Sequence, residues 1–208
     1  MTGSRVETAK GAALHSTLDY VRELHGDLVL ARILADIDAD VRSAIETCAP
    51  TGEVAYAYLA LLWEHVDRAL RDAAPHWIEH SGAHSIQSRG SQLYGGILRK
   101  NSPSEFLTQS VSLFRLFYQP GDMVVVEEGA SRAVLRLCGF DAGTTLFCRR
   151  QTGGLACALE IAGGGEPTVT QVRCVSEGDA FCEWELTWQD ARETEKRESS
   201  TRGLQLEP

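Results

Sequence analysis

Over the first 120 residues, apolar side chains recur every three or four positions, the spacing of one buried helical face. Leu14, Leu18, Val21 and Leu24 form the first stripe, and Gly26 supplies its C-terminal stop. A second runs from Leu28 to Ile37, and a shorter one from Val41 to Cys48 is closed by Pro50. From Glu53 to Arg71 the set Val54, Tyr58, Leu61, Leu62, Val66 and Leu70 predicts the best-defined helix, ended ahead of Pro75. Ser91 to Leu98 also reads as helical. Ser102-Pro103-Ser104-Glu105 is a helix-start signature for a segment carrying Phe106, Val111, Phe114 and Phe117, and Pro120-Gly121 ends the helical part.

The texture then changes to strands. Met123 to Glu127 and Ala133 to Cys138 flank the turn Glu128-Gly129-Ala130 and predict a hairpin. Thr144 to Ile161 is apolar enough for a helix despite Gly153 and Gly154, with Gly163-Gly164-Gly165 as its stop. Thr168 to Val175 and Phe181 to Trp188, joined by Ser176-Glu177-Gly178-Asp179, predict a second hairpin. In its last strand Cys182, Trp184, Leu186 and Trp188 alternate with Glu183, Glu185 and Thr187, so one face is core and the other is wet. The fold class is therefore α+β: an N-terminal helical layer packed on a four-stranded antiparallel sheet, with one helix between two hairpins. Residues 1–190 read as a single domain, and Ala191 to Pro208, charged and poor in apolar residues, as a disordered tail.

Composition narrows the function classes. A chain of 208 residues that is 43% hydrophobic can bury one sizeable core. A formal net charge of −9 has the wrong sign for a phosphate-backbone binder, so no nucleic-acid partner is expected. The longest apolar stretch, Ala55 to Trp63, is far short of the ~20 residues that span a bilayer, and the first residues lack the apolar run of a secretory signal. A cytoplasmic location is the expectation. There Cys48, Cys138, Cys148, Cys157, Cys174 and Cys182 stay reduced, which favours burial or metal binding over disulfides.

Cys174 and Cys182 enclose seven residues, and a three-residue loop at Glu177 to Asp179 sets them opposite one another on the ribbon. Opposed Cβ atoms lie about 5 Å apart, close enough to share a tetrahedral metal, although cross-strand cysteines also serve as small core residues.

The stretch from Cys148 to Trp188 resembles the C-terminal part of the 4-vinyl reductase domain, a small-molecule-binding module related to haem-NO-binding domains and to the TRAPP vesicle-tethering subunits. The likeness runs through Cys148, Thr152-Gly153-Gly154-Leu155-Ala156-Cys157, Gly163-Gly164-Gly165-Glu166, Gln171-Val172-Arg173-Cys174, Gly178-Asp179 and Cys182. Lys10-Gly11 and Leu18-Asp19-Tyr20-Val21-Arg22-Glu23-Leu24-His25-Gly26 are similar to the start of haem-NO-binding domains, which extends the likeness to about residues 10 to 189. It also covers a group of stand-alone bacterial proteins for which no function is implied. In the effector-sensing members the two ribbon cysteines, the upstream cysteine and a Glu bind zinc, so the resemblance implies Cys148, Cys174 and Cys182 as zinc ligands. This chain has Gln171 at the acidic position, and an amide oxygen is a poor zinc ligand. The fourth place then falls to Glu177, Asp179, Cys157, water or nothing. Strict alternation puts Gln171 and Cys174 on opposite faces, so sharing a metal requires a bulge or a strand end.

Other candidate chemistry is thinner. His76, His80 and His84 stand at i, i+4, i+8 and on an unbroken helix would stack on one face, where two of them could hold a metal or haem iron. Gly82 weakens that helix, and a partly solvated face with Glu79 is the favoured reading. His65 shares a stripe with Tyr58 and Leu61 or Leu62, where a haem-ligating histidine could sit, although a hydrogen-bonded core imidazole is the commoner role. The Tyr-x-Ser-x-Arg fingerprint that holds haem propionates in haem-NO-binding relatives is absent, which argues against haem. No Gly-x-Ser-x-Gly elbow is present, and Gly153-Gly154 and Gly163-Gly164-Gly165 lack the context of a phosphate loop.

The aromatic set Phe106, Phe114, Phe117, Tyr118, Phe140, Phe147, Trp184 and Trp188 lines either an apolar cavity or a filled core between helices and sheet. Of these, Phe106, Phe114, Phe117, Phe147 and Trp184 are the candidate ligand-binding residues. With the resemblance, the expectation is a non-enzymatic ligand-binding or sensory module that holds a small apolar molecule or acyl chain as a homodimer. The alternative is a protein-interaction scaffold like the vesicle-tethering subunits, with a filled core.

Overall fold

The computed structural model describes residues 6–90 and 102–190. The helix expected at 91–98 and the tail expected at 191–208 lie outside the described residues, as does the Val111 side chain.

The chain opens with β1 (Thr8–Lys10) and runs directly into α1 (Gly11–His25). Gly26, at φ 89°, takes the turn that separates α1 from α2 (Asp27–Ala35). The Asp38 carboxylate accepts the Asp40 N–H and starts α3 (Ala39–Thr47). β2 (Glu53–Ala55) leads into α4 (Tyr56–Leu70), and α5 (Trp77–Ser85) follows, extended by a π-helical turn at Ile86–Gly90. The Ser102 hydroxyl accepts the Glu105 N–H and Pro103 fills the first turn of α6 (Pro103–Phe117), as the start signature requires.

After β3 (Tyr118–Gln119) come β4 (Asp122–Glu128), β5 (Arg132–Cys138), α7 (Thr145–Ile161), β6 (Gly164–Arg173), a 3₁₀ turn at Val175–Glu177 and β7 (Cys182–Asp190). The four-stranded antiparallel sheet has the order β4-β5-β7-β6, so both expected hairpins form and the helix α7 lies between them in sequence. Pro167 sits on the edge strand β6, beside a register shift between Gly165 and Thr168, a position where its missing N–H costs no ladder bond.

The N-terminal part is not wholly helical. β1 pairs with β2 and β3 in a three-stranded sheet of order β2-β1-β3, so Glu53 to Ala55 form a strand rather than the start of a helix. Strands of two or three residues are too short to show an alternation, and these merge with the helical stripes they adjoin.

The core is continuous between the layers: Leu14, Leu59, Leu62, Trp63, Val66 and Trp77 from the helices, Phe147 from α7, and Leu135, Trp184 and Leu186 from the sheet are fully buried. Each such side chain contributes roughly 1.5–3 kcal/mol. Leu24 and Leu28, by contrast, are exposed.

Helices α5 and α7 approach to backbone contact. A Cβ on Gly82 would lie 2.1 Å from the Arg150 carbonyl oxygen, and one on Gly153 would lie 2.0 Å from the Glu79 carbonyl oxygen. These glycines therefore allow backbone-to-backbone packing, and Gly82 is a seam residue rather than a helix breaker. Arg149 fastens the seam with a two-point ion pair to Glu79, at 2.7 and 2.9 Å. No helix among the described residues is long and apolar enough to cross a membrane.

Candidate functional site

Three thiols meet where the β6–β7 ribbon ends against α7. The Cys148 and Cys182 sulfurs are 3.4 Å apart, Cys174 and Cys148 are 4.0 Å apart, and all three lie within 4.8 Å of one another, fully buried. A register shift between Gln171 and Arg173 adds a residue to β6, and this brings Cys174 onto the inner side that strict alternation denies it. Cys174 lies beyond the end of β6, and Arg173 pairs with Glu183.

None of the fourth-ligand candidates among the described residues joins the three thiols. Asp179 accepts the Cys174 N–H at 2.8 Å, the Gln171 amide donates to the Arg173 carbonyl, and Glu177 is exposed. Within the cluster the Cys148 thiol donates to the Cys182 sulfur. That bond pulls Cys182 below the usual thiol range against its burial, and holds Cys148 far above it.

A second group fills the space between α4, α6, α7 and the loop after β5. Tyr56, Trp63, Phe114, Tyr118, Phe140 and Phe147 make edge-on and tilted ring contacts with centroid separations from 4.8 to 6.4 Å. The Tyr56 hydroxyl donates to the Ala142 carbonyl at 2.8 Å, and burial raises its pKa. The Tyr118 phenol is likewise pushed up by burial, with the Arg150 guanidinium opposing. Arg150 projects from α7 into this group at 6% exposure, donating to Ser16 Oγ at 2.8 Å and lying 5.6 Å from the Trp63 ring. Sequence reasoning passed over it, because one Arg in an amphipathic helix looks like surface.

Of the five aromatic candidates, Phe114 and Phe147 belong to this group. Phe106 is buried on the first turn of α6, and Phe117 is half-buried at its end. Trp184 faces α7 from the sheet and donates its indole N–H to Thr152 Oγ1 at 3.1 Å. His76 and His80 sit with ring centroids 6.4 Å apart at the start of α5, while His84 turns inward to Glu23 Oε2 at 2.9 Å and the edge of Tyr20. His65 is half-buried on α4.

No family model and no curated protein matches the sequence. Solved structures do match the fold. An Fe(II) unliganded H-NOX protein from K. algicida, a haem-NO-binding domain, superimposes with a TM-score of 0.67 at 13% identity over 87% of this chain and 97% of that one. A point mutant of the T. Tengcongensis H-NOX gives 0.66 at 13% identity over 87% and 98%. An oxygen-binding H-NOX domain related to soluble guanylate cyclases, in its oxygen complex, gives 0.62 at 12% identity over 87% and 95%. The chain has the H-NOX fold. These neighbours do not extend to the 4-vinyl reductase or vesicle-tethering parts of the resemblance.

The expectation against haem is corrected by these neighbours, whose fold carries haem in H-NOX proteins and is shared along nearly their whole length. It rested on the absence of one short motif, but a propionate can be held by any suitably placed guanidinium. Arg150 is such a group, buried, with its Nε unpartnered. The charge and free donor of Arg150 therefore suit a propionate. No histidine ring contacts the aromatic group among the described residues, and no iron ligand is assigned. Zinc draws no support from the neighbours.

Proposed function

We propose that this chain is a sensory module that binds a small apolar molecule between its helical layer and its sheet, without catalysing a reaction on it. The observation that carries this reading is the fold shared with H-NOX domains, which are described by their haem or by their oxygen binding. The aromatic group at the junction of α4, α6 and α7 supports it, since six rings packed together give the interior the apolar character that a planar or elongated apolar ligand requires. Bound haem would supply an iron for reversible gas binding, and Arg150, oriented by Ser16 and flanked by the Tyr118 hydroxyl, would hold its propionate. Absorbance and fluorescence titration with iron protoporphyrin IX and with the fluorescent fatty acid cis-parinaric acid tests the reading. Saturable binding of one of them, one per chain, is expected, and flat titrations for both contradict it.

The thiol cluster carries a subsidiary proposal: Cys148, Cys174 and Cys182 form a ligand set for a thiolate-preferring metal ion that clamps the ribbon to α7. Elemental analysis by mass spectrometry should then find about one metal per chain. Cys174→Ser should remove it and lower Tm on the order of 5–10 °C. A metal-free protein whose Tm ignores both the substitution and a chelator contradicts the proposal.

A further inference from the structure

Arg150 is the single buried cation among the described residues. Its neighbours in type are all paired: Arg149 with Glu79, Arg136 with Glu183, Arg132 with Glu127 and Glu185. Arg150 has no carboxylate partner among the described residues. Its Nη2 donates to Ser16 Oγ at 2.8 Å, its Nη1 reaches the Tyr118 hydroxyl only at 3.5 Å, and its Nε has no partner. Ser16 in turn spends its own proton on the Ala13 carbonyl, and the Trp63 indole N–H is taken by Thr17. Among the described residues, the groups that contact the guanidinium are neutral, so none of them compensates its positive charge.

Such an arrangement makes poor structural sense. Burying an ion is costly unless an opposite charge and full hydrogen bonding offset it, and an apolar side chain of similar volume usually serves stability as well or better. Two neutral hydroxyls and one aromatic face do not meet that requirement. A planar two-oxygen anion does, because the guanidinium fork presents parallel N–H groups at carboxylate spacing. One cation also matches a monoanion rather than a phosphate dianion. Beyond the charged end, the surroundings are the rings of Trp63, Tyr118 and Phe147, which suit an apolar body.

We propose that Arg150, oriented by Ser16 and flanked by the Tyr118 hydroxyl, is the recognition head for the carboxylate of the interior ligand. The ligand class is thereby a carboxylated apolar molecule, a fatty acid or a porphyrin propionate. This inference rests on the interior being a ligand site, and its test separates the two. Wild type and Arg150→Met are titrated with cis-parinaric acid and its methyl ester, and with iron protoporphyrin IX and its dimethyl ester.

The acid is expected to bind wild type at least about tenfold more tightly than its ester. In Arg150→Met the two should fall within about twofold, because only the charged contact is lost. The pair that shows this preference identifies the source of the carboxylate. The ligand-free Tm of Arg150→Met should equal or exceed that of wild type, whereas a purely structural arginine would lower it and leave the acid-to-ester ratio unchanged. Arg150→Lys, which keeps the charge without the fork, should give an intermediate ratio. Equal binding of acid and ester to wild type overturns the carboxylate head and leaves the ligand site standing. Absence of binding for all four probes overturns both.

Discussion

Thr152 shows how one side chain joins the two layers. Its hydroxyl accepts the Trp184 indole N–H at 3.1 Å and donates back to the Cys148 carbonyl at 3.1 Å, so it ties the sheet to α7 one turn from the thiols. Thr152→Val keeps the shape and strands a buried donor. It should cost roughly 1–3 kcal/mol, read as a lowered urea midpoint at unchanged slope. An unshifted midpoint would show that the indole finds another acceptor. At this scale the sequence was informative where chemistry and spacing coincide. The Gly-Asp turn placed Cys174 near Cys182, and the need for a bulge to turn Cys174 inward follows from strand alternation. Arg150 was illegible because its meaning lies in Ser16, 134 positions away.

The seam between α5 and α7 governs how elements pack. Gly82 and Gly153 leave no room for a methyl group against the facing carbonyl oxygens, and those are backbone atoms that cannot rotate aside. Gly82→Ala and Gly153→Ala should each destabilise by about 1–3 kcal/mol through overpacking, against the usual gain from replacing a helical glycine. Chemical denaturation checks the sign, and a stabilising effect would mean that the helices do not meet at these residues. Helices with a clear stripe, such as Val54 to Leu70, were legible in outline because periodicity reports a buried face. The strands β1, β2 and β3 were not, since two or three residues hold no full alternation and their pairing joins positions far apart in sequence. The hairpins β4–β5 and β6–β7 were legible from their turns, while the β5–β7 pairing that unites them joins strands far apart in sequence with no turn to announce it.

For the whole molecule, the α+β layering follows from the order of periodicities, helix-type and then strand-type, but the interior's purpose does not. Six aromatic rings drawn from α4, α6, β3, α7 and the loop after β5 read equally as core or as ligand site until a buried guanidinium without a counter-ion among the described residues is found beside them. The haem expectation failed for a related reason: a motif records one solution to holding a propionate, whereas the fold permits others. The most direct measurement is native mass spectrometry of the full chain mixed with iron protoporphyrin IX or cis-parinaric acid. A saturable one-to-one complex with at least one of them, weakened by Arg150→Met, is the result this account requires. A spectrum holding only the bare chain at every ligand concentration would contradict it.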